Sequence, residues 1–365
     1  MQRFRISDVC DQLHLQGRTF QDEKEGILYF NWSADTVELL FTGTLLCAEF
    51  QADCGYEIEG QSDASGITKR ATWPWVGVFL DEETVPRRTF EVGRPRQSWL
   101  LYQSDQPETH TIRIIKLTEN GKSFLGIVSF TAVGSIMPWP SQPETRRLEI
   151  VGDSITCGYG NLVKDPARHF FAADEDAWQA YGVLTARNLQ YDWSCVSSSG
   201  ITAVRHAGWQ SLYAMEELYA YTDRFCQEKL GLVPTQWDFD QHPNDIVVVN
   251  LGTNDNYAIQ FSQEPGELEQ FPEAYLEFIA SIRRLNGPNA HIVCALGPMN
   301  HYLYPDIEKA VAKYQTQYHD PRVYLFRFRP IHPQDGLGAD GHPSKITHQK
   351  MAEELTAFLR TLPQG

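Results

Sequence analysis

Four short stretches of this 365-residue chain set chemically capable side chains directly after apolar runs or in the final loop. The first is Gly152-Asp153-Ser154-Ile155-Thr156, a serine on a glycine-bearing turn. Ser197-Ser198-Ser199-Gly200-Ile201 follows, then Gly252-Thr253-Asn254-Asp255, and near the C-terminus Gly338-Ala339-Asp340-Gly341-His342-Pro343-Ser344. A serine hydroxyl is a poor nucleophile until a neutral imidazole accepts its proton, so Ser154 needs a base, and His342 is the best-placed histidine. Such a pair points to acyl transfer. His301, His319, His332 and His348 are scattered, with no spacing that suggests a metal site. Gly158-Tyr159-Gly160 is glycine-rich but lacks the lysine of a phosphate-binding loop.

These residues have to be held by elements of regular structure, and the pattern of the chain changes near residue 140. Before it, short runs alternate in the manner of strands, as in Thr36-Val37-Glu38-Leu39-Leu40-Phe41 and Thr111-Ile112-Arg113-Ile114-Ile115-Lys116-Leu117. Asp53-Cys54-Gly55, Asp63-Ala64-Ser65-Gly66 and Glu119-Asn120-Gly121-Lys122 read as hairpin turns. The proline-rich segment Met137-Pro138-Trp139-Pro140-Ser141-Gln142-Pro143-Glu144 continues neither a sheet nor a helix. Beyond it five apolar runs, Leu148–Val151, Tyr191–Val196, Asp245–Leu251, His291–Leu296 and Val323–Phe326, alternate with helical patterns near Trp178–Leu189, Pro272–Asn286, Ile307–Tyr318 and after Ser344. The expected fold is therefore an N-terminal β-sandwich or jelly roll over residues 1–136, a linker over 137–147, and a three-layer α/β/α domain with a parallel sheet over 148–365. In such sheets ligands bind beyond the carboxyl ends of the strands, which is where the motifs fall.

The four stretches, in this order, resemble the blocks of the SGNH (GDSL-type) hydrolases, centred here on Ser154, Gly200, Asn254 and His342. With a β-rich domain ahead of them and the extended Gly-Asp-Ser-Ile-Thr-Cys-Gly-Tyr-Gly wording, the chain is similar to carbohydrate esterase family two, whose members deacetylate sugars of plant polysaccharides. The resemblance implies that the N–H groups of Ser154 and Gly200 and the amide of Asn254 form an oxyanion hole, each donor worth about 3–4 kcal/mol. SGNH enzymes commonly place an aspartate three residues before the histidine, but that position is Ala339. The candidates to orient His342 are Asp340, Asp335 or a backbone carbonyl that leaves a Ser–His dyad, and Asp340 is the expected third member. Asp153 and Asp255 are read as caps or anchors of loop amides.

Composition narrows the substrate. Lys and Arg total 31 against 47 Asp and Glu, a net charge of −16, which disfavours nucleic acid, anionic membrane and strongly anionic ligands. The chain carries nine tryptophans. Trp178 and Trp193 fall on core elements, whereas Trp73, Trp75 and Trp139 fall in turn-like or linker surroundings. Trp209 follows the Gly200 block and is the candidate to stack on a sugar ring. Seven cysteines without metal or redox spacing, and an N-terminus without an apolar signal stretch, suggest a cytoplasmic setting. The expected function is a cofactor-independent serine esterase removing acetyl groups from neutral oligosaccharides such as xylan or mannan fragments. The rival readings are a general short-chain carboxylesterase or lysophospholipase, and a carbohydrate-binding protein with a vestigial hydrolase domain.

Overall fold

The computed structural model describes residues 1–59, 68–140, 145–167, 169–262 and 264–363. The N-terminal lobe is a curled antiparallel sheet of jelly-roll type. Its spine is three long strands, β1 (Thr36–Ala52), β2 (Arg96–Lys116) and β3 (Leu125–Met137), with β1 paired to both of the others. Register shifts at Leu100/Tyr102, Gln103/Glu108, Ile127/Ser129 and Val133/Gly134 let strands this long bend around a single core. Val37, Leu39 and Phe41 point into that core and are fully buried. Glu38, on the opposite face, is buried as well, among the side chains of His14, Gln16 and Arg113. Burial alone would raise its carboxyl, but hydrogen bonding from His14 and the Arg113 charge bring it down to about 2. The expected turn at Asp63–Gly66 lies outside the described residues, between the paired strands Gly55–Glu59 and Thr68–Thr72. Part of the proline-rich linker, residues 141–144, lies outside them too.

The C-terminal lobe contains the five expected strands: β4 (Arg147–Gly152), β5 (Asp192–Ser197), β6 (Ile246–Asn250), β7 (His291–Leu296) and β8 (Val323–Arg327). All are parallel, in the order β5-β4-β6-β7-β8. The order reverses between β4 and β6, and a sheet of this kind opens its ligand crevice at that switch point. Gly152 and Asn250, which end those two strands, lead into Ser154 and Asn254. One face of the sheet packs on α4 (Glu267–Asn286) and α5 (Tyr304–Tyr318), and the other on α2 (Tyr181–Leu189) and α6 (Lys345–Leu359), which makes three layers. The helix expected from Pro272 starts earlier, at Glu267. Glu267 and Glu269 suit the positive end of a helix dipole, and the missing N–H of Pro272 removes only one hydrogen bond from a 20-residue helix. Leu276, Ile279 and Ile282 share its buried face.

The β lobe has a core of its own, but several of its residues are built into the cores of the α/β lobe. Trp32 is packed in the core of the α/β lobe, and its indole N–H donates to Thr222 O at 2.8 Å. Trp193 donates to Ala34 O at 2.9 Å, and Trp178 to Thr84 O at 2.8 Å. Both indoles are buried, and Trp73, Trp75 and Trp139 pack away from the motif residues; Trp139 stacks on His14. At the centre of the seam Arg18, 1% exposed, places Nε 3.0 Å from Glu149 Oε1 on β4. It also donates to Tyr221 O at 2.9 Å and lies over the rings of Tyr219 and Phe239. Removing one partner of such a pair leaves the other charge buried and uncompensated. Arg18→Met is therefore expected to lower the unfolding free energy by about 3–5 kcal/mol, read from urea denaturation at neutral pH.

Candidate active site

Ser154 opens a one-turn helix, α1 (Ser154–Cys157), directly after β4. Asp153 caps the turn by accepting the Ile155 N–H at 2.9 Å, and Tyr159 N–H donates to Ser154 O at 3.1 Å. The His342 loop comes over the same strand end. Ala339 N–H donates to Gly160 O at 3.1 Å, and a Cβ on Gly160, whose φ is +61°, would stand 2.4 Å from the Ala339 Cβ. Only glycine permits that approach. The two loops bring His342 Nε2 to 2.8 Å from Ser154 Oγ.

The other ring nitrogen fixes the proton. His342 Nδ1 lies 3.1 Å from Ala339 O, which can only accept, so Nδ1 carries the hydrogen and Nε2 is free to accept from the Ser154 hydroxyl. Burial lowers the His342 pKa, and the Ala339 carbonyl and the Asp340 charge only partly oppose that, so the ring is neutral at pH 7. Tyr159 lies against the imidazole at a centroid distance of 4.3 Å and is itself stacked on Phe170 at 3.8 Å.

Asp340 does not take the third place expected of it. Its backbone is left-handed (φ +51°), which turns the side chain away from the ring, and Oδ2 accepts from the Tyr159 hydroxyl at 2.8 Å. Asp335 is engaged by Lys350 Nζ at 2.6 Å. Of the three candidates for orienting His342, the geometry leaves the backbone carbonyl.

Gly200 adopts φ +76°, and a Cβ there would meet nothing within 4 Å, because the residue faces the open cleft. The N–H groups of Ser154 and Gly200 donate to no described residue. Asn254 begins the second position of α3 (Thr253–Phe261), and its amide donates to Ile201 O at 3.0 Å. Its nearest other acceptor is Asp153 Oδ2, at a long 3.4 Å. Burial, together with the nearby Asp255 charge, raises the Asp153 carboxyl to about 7 against the pull of the Ile155 N–H. Asp255 anchors the loop that follows Gly200, accepting from the N–H groups of Ala203 at 3.0 Å and Val204 at 3.3 Å. His206 bridges Asp255 at 3.1 Å and Glu267 at 3.2 Å.

That anchored loop presents Trp209, whose indole N–H donates to Gly200 O at 2.9 Å. Trp209 and Phe261, the latter 78% exposed, flank a cavity of about 540 Å³ whose floor is Ser199 and Gly200. A cavity of about 1030 Å³ lies elsewhere, between the lobes around His14, Trp139 and Arg187, and holds none of the motif residues. Sequence reasoning missed Tyr159, Phe170 and Phe261. The Gly-Tyr-Gly wording just after Ser154 was the available signal for Tyr159; Phe261 had none beyond its place at the end of the Asn254 helix. The cluster of ligand-type side chains among the described residues, Glu119, Cys157 and Glu175, sits behind the site.

Two outcomes follow from this geometry. Asp340→Asn fits the left-handed backbone and is expected to keep kcat/KM within about tenfold, against the loss of about 10⁴ seen where a carboxylate holds the imidazole. Steady-state hydrolysis of a p-nitrophenyl ester measures it. The acid limb of the kcat/KM profile is expected below pH 6.5, because the base stays neutral until pH falls through its lowered pKa.

Comparison with known proteins gives a consistent set. A profile described as GDSL-like lipase/acylhydrolase matches residues 148–355. The cellulase/esterase CelE of Acetivibrio thermocellus is 31% identical over 337 residues, covering 90% of this chain and 37% of that protein. This chain thus spans little more than a third of that relative's length. An acetylxylan esterase/glucomannan deacetylase of Cellvibrio japonicus is 26% identical over 359 residues, 96% of this chain and 88% of the other. A family two carbohydrate esterase from Clostridium thermocellum, solved in complex with cellohexaose, superposes with a TM-score of 0.80 at 28% identity, over 95% of this chain and 98% of that one.

Proposed function

We propose that this chain, which belongs to the GDSL-like lipase/acylhydrolase family, is a serine esterase that removes O-acetyl groups from neutral sugar residues of plant-derived oligosaccharides. The observation that carries the reading is the 2.8 Å contact between Ser154 Oγ and a neutral His342 Nε2, beside the backbone N–H groups of Ser154 and Gly200, which donate to no described residue. Relatives named as acetylxylan esterase and as carbohydrate esterase support the acetyl and sugar parts of it.

In this mechanism Ser154 Oγ attacks the acetyl carbonyl carbon while its proton passes to His342 Nε2. The Ala339 carbonyl, hydrogen-bonded to Nδ1–H, holds the imidazolium that forms. The carbonyl oxygen becomes an oxyanion held by the N–H groups of Ser154 and Gly200 and by the Asn254 amide, which exchanges its long contact with Asp153 for the negative oxygen. Collapse breaks the bond to the sugar oxygen, which takes the proton from His342 and leaves as the hydroxyl. Water, deprotonated by His342, then releases acetate from the acetyl-serine.

Trp209 and Phe261 are the residues proposed to hold the sugar, since the apolar face of a pyranose stacks on an aromatic ring. The same cavity separates the rival readings. A lysophospholipase has to bury an acyl chain, whereas here the aromatic rings lie at an exposed cleft edge. A vestigial domain has no need of an aligned Ser–His contact. A cytoplasmic setting also remains a proposal, supported by four cysteines buried as core residues, Cys157, Cys195, Cys226 and Cys294.

Ser154→Ala is expected to abolish acetate release from acetylated xylo- or manno-oligosaccharides, and wild-type turnover in that variant would sink the reading. For the wild type, acetyl esters should be cleaved much faster than octanoyl esters; the reverse order would favour the carboxylesterase. Trp209→Ala should raise KM about three- to tenfold for an acetylated oligosaccharide and by less for p-nitrophenyl acetate, which has no sugar to stack.

A further inference from the structure

The turn Glu119-Asn120-Gly121-Lys122 joins β2 to β3 and reads in sequence as an ordinary hairpin tip. In the structure it is driven into the other lobe, with Glu119 and Asn120 only 1% and 2% exposed. Ala177 N–H donates to Leu117 O at 3.0 Å, Glu119 N–H donates to Glu175 Oε2 at 2.9 Å, and Asn120 Nδ2 donates to Asp223 Oδ1 at 2.9 Å. The two lobes are therefore locked together here by polar groups, among them the carboxyl groups of Glu119, Glu175 and Asp223, all removed from water.

A buried carboxylate is costly unless its oxygens are matched. Glu119 Oε2 accepts the backbone N–H of Ser199 at 2.6 Å, a short charge-assisted bond, and Oε1 meets Lys122 Nζ at 2.9 Å. Burial would raise this carboxyl, but the Lys122 charge and the Ser199 N–H hold it below its ordinary range. The neighbouring Glu175 is pushed well above its range by burial and by the Glu119 charge, so the anion of the pair is Glu119.

Ser199 immediately precedes Gly200, which lines the cleft and whose N–H donates to no described residue. Gly200 has no side chain of its own to hold it, and its backbone is free to rotate. Two hydrogen bonds from outside fix it: Glu119 grips the Ser199 N–H on one side, and the Trp209 indole grips Gly200 O on the other. The same turn reaches the base. Lys122 Nζ lies 3.9 Å from the ring centre of Phe170 and 5.0 Å from that of Tyr159, and Tyr159 rests on His342.

We propose that Glu119 is a positioning residue for acyl transfer: through the Ser199 N–H it sets the Gly200 amide where the oxyanion forms, so that the N-terminal lobe supplies part of the catalytic geometry of the C-terminal one. The proposal rests on the esterase reading above. A mere anchor between lobes would affect stability, whereas a positioning residue affects the transition state more than the ground state.

The test compares Glu119→Ala with Glu119→Gln, which keeps an acceptor oxygen of the same reach, after circular dichroism and a thermal melt establish that each is folded. With p-nitrophenyl acetate, Glu119→Ala is expected to lower kcat about 10- to 100-fold with KM within about threefold, and Glu119→Gln to recover most of the loss. A boronic acid that forms a tetrahedral adduct on Ser154 should lose affinity in parallel with kcat, while the inhibition constant of acetate stays the same. If Glu119→Ala does not fold, Glu119→Asp, with its carboxylate drawn back by one methylene, is expected to show the same paired loss relative to Glu119→Gln. Wild-type kcat and boronate affinity in a folded Ala or Asp variant, or a loss confined to Tm, overturns the proposal. A wild type that neither hydrolyses the ester nor binds the boronate overturns the esterase reading itself, and this role with it.

Discussion

The structure turns on one short contact, His342 Nε2 to Ser154 Oγ at 2.8 Å, between residues 188 positions apart. A hydroxyl transfers its proton only across such a distance, so both loops have to be fixed to within a few tenths of an ångström. Each is tied at several points. The serine turn is capped by Asp153 and rooted in the central strand β4. The histidine loop is pinned to Gly160 by Ala339, closed by the bridge from Leu337 to Pro343, and anchored where Ser344 donates to Asp335 O at 2.7 Å and caps α6. A sheet core buried on both faces makes these anchor points rigid.

The imidazole is tuned by its surroundings more than by a partner charge. With a carbonyl at Nδ1 instead of a carboxylate, an imidazolium formed in the proposed attack would gain less stabilisation, and the free base is correspondingly easier to keep neutral. Tyr159 takes up the nearby carboxylate of Asp340 and covers one side of the ring. The site thus holds a base that is ready at neutral and mildly acidic pH. Behind it, the buried carboxylate of Glu119 is matched by the half-buried Lys122.

Much of this was legible in the sequence because it depends on local rules. Apolar runs alternating with helical patterns marked all five parallel strands; three motif blocks stood after strand ends and the fourth in the final loop, so Ser154, Gly200, Asn254 and His342 could be brought to one edge by topology. What failed depended on geometry that spacing does not carry. Asp340 sits two residues before His342, but its left-handed backbone sends the carboxylate to Tyr159. Glu119 belonged to a pattern that normally means a solvated turn, and only the packing of one lobe on the other buries it. The β lobe reads in sequence as a separate unit, yet Trp32, Ala34 and Leu117 complete cores of the α/β lobe.

In the proposed mechanism Ser154 is activated by an imidazole that a backbone carbonyl orients. Labelling with a methylphosphonate ester, followed by peptide mass spectrometry across pH 4–8, tests it most directly. One phosphonyl group per chain is expected, on Ser154, with a labelling rate that falls only below pH 6.5, as His342 protonates, and that survives replacement of Asp340. No label at Ser154, or a rate at that serine indifferent to pH throughout the range, would contradict it.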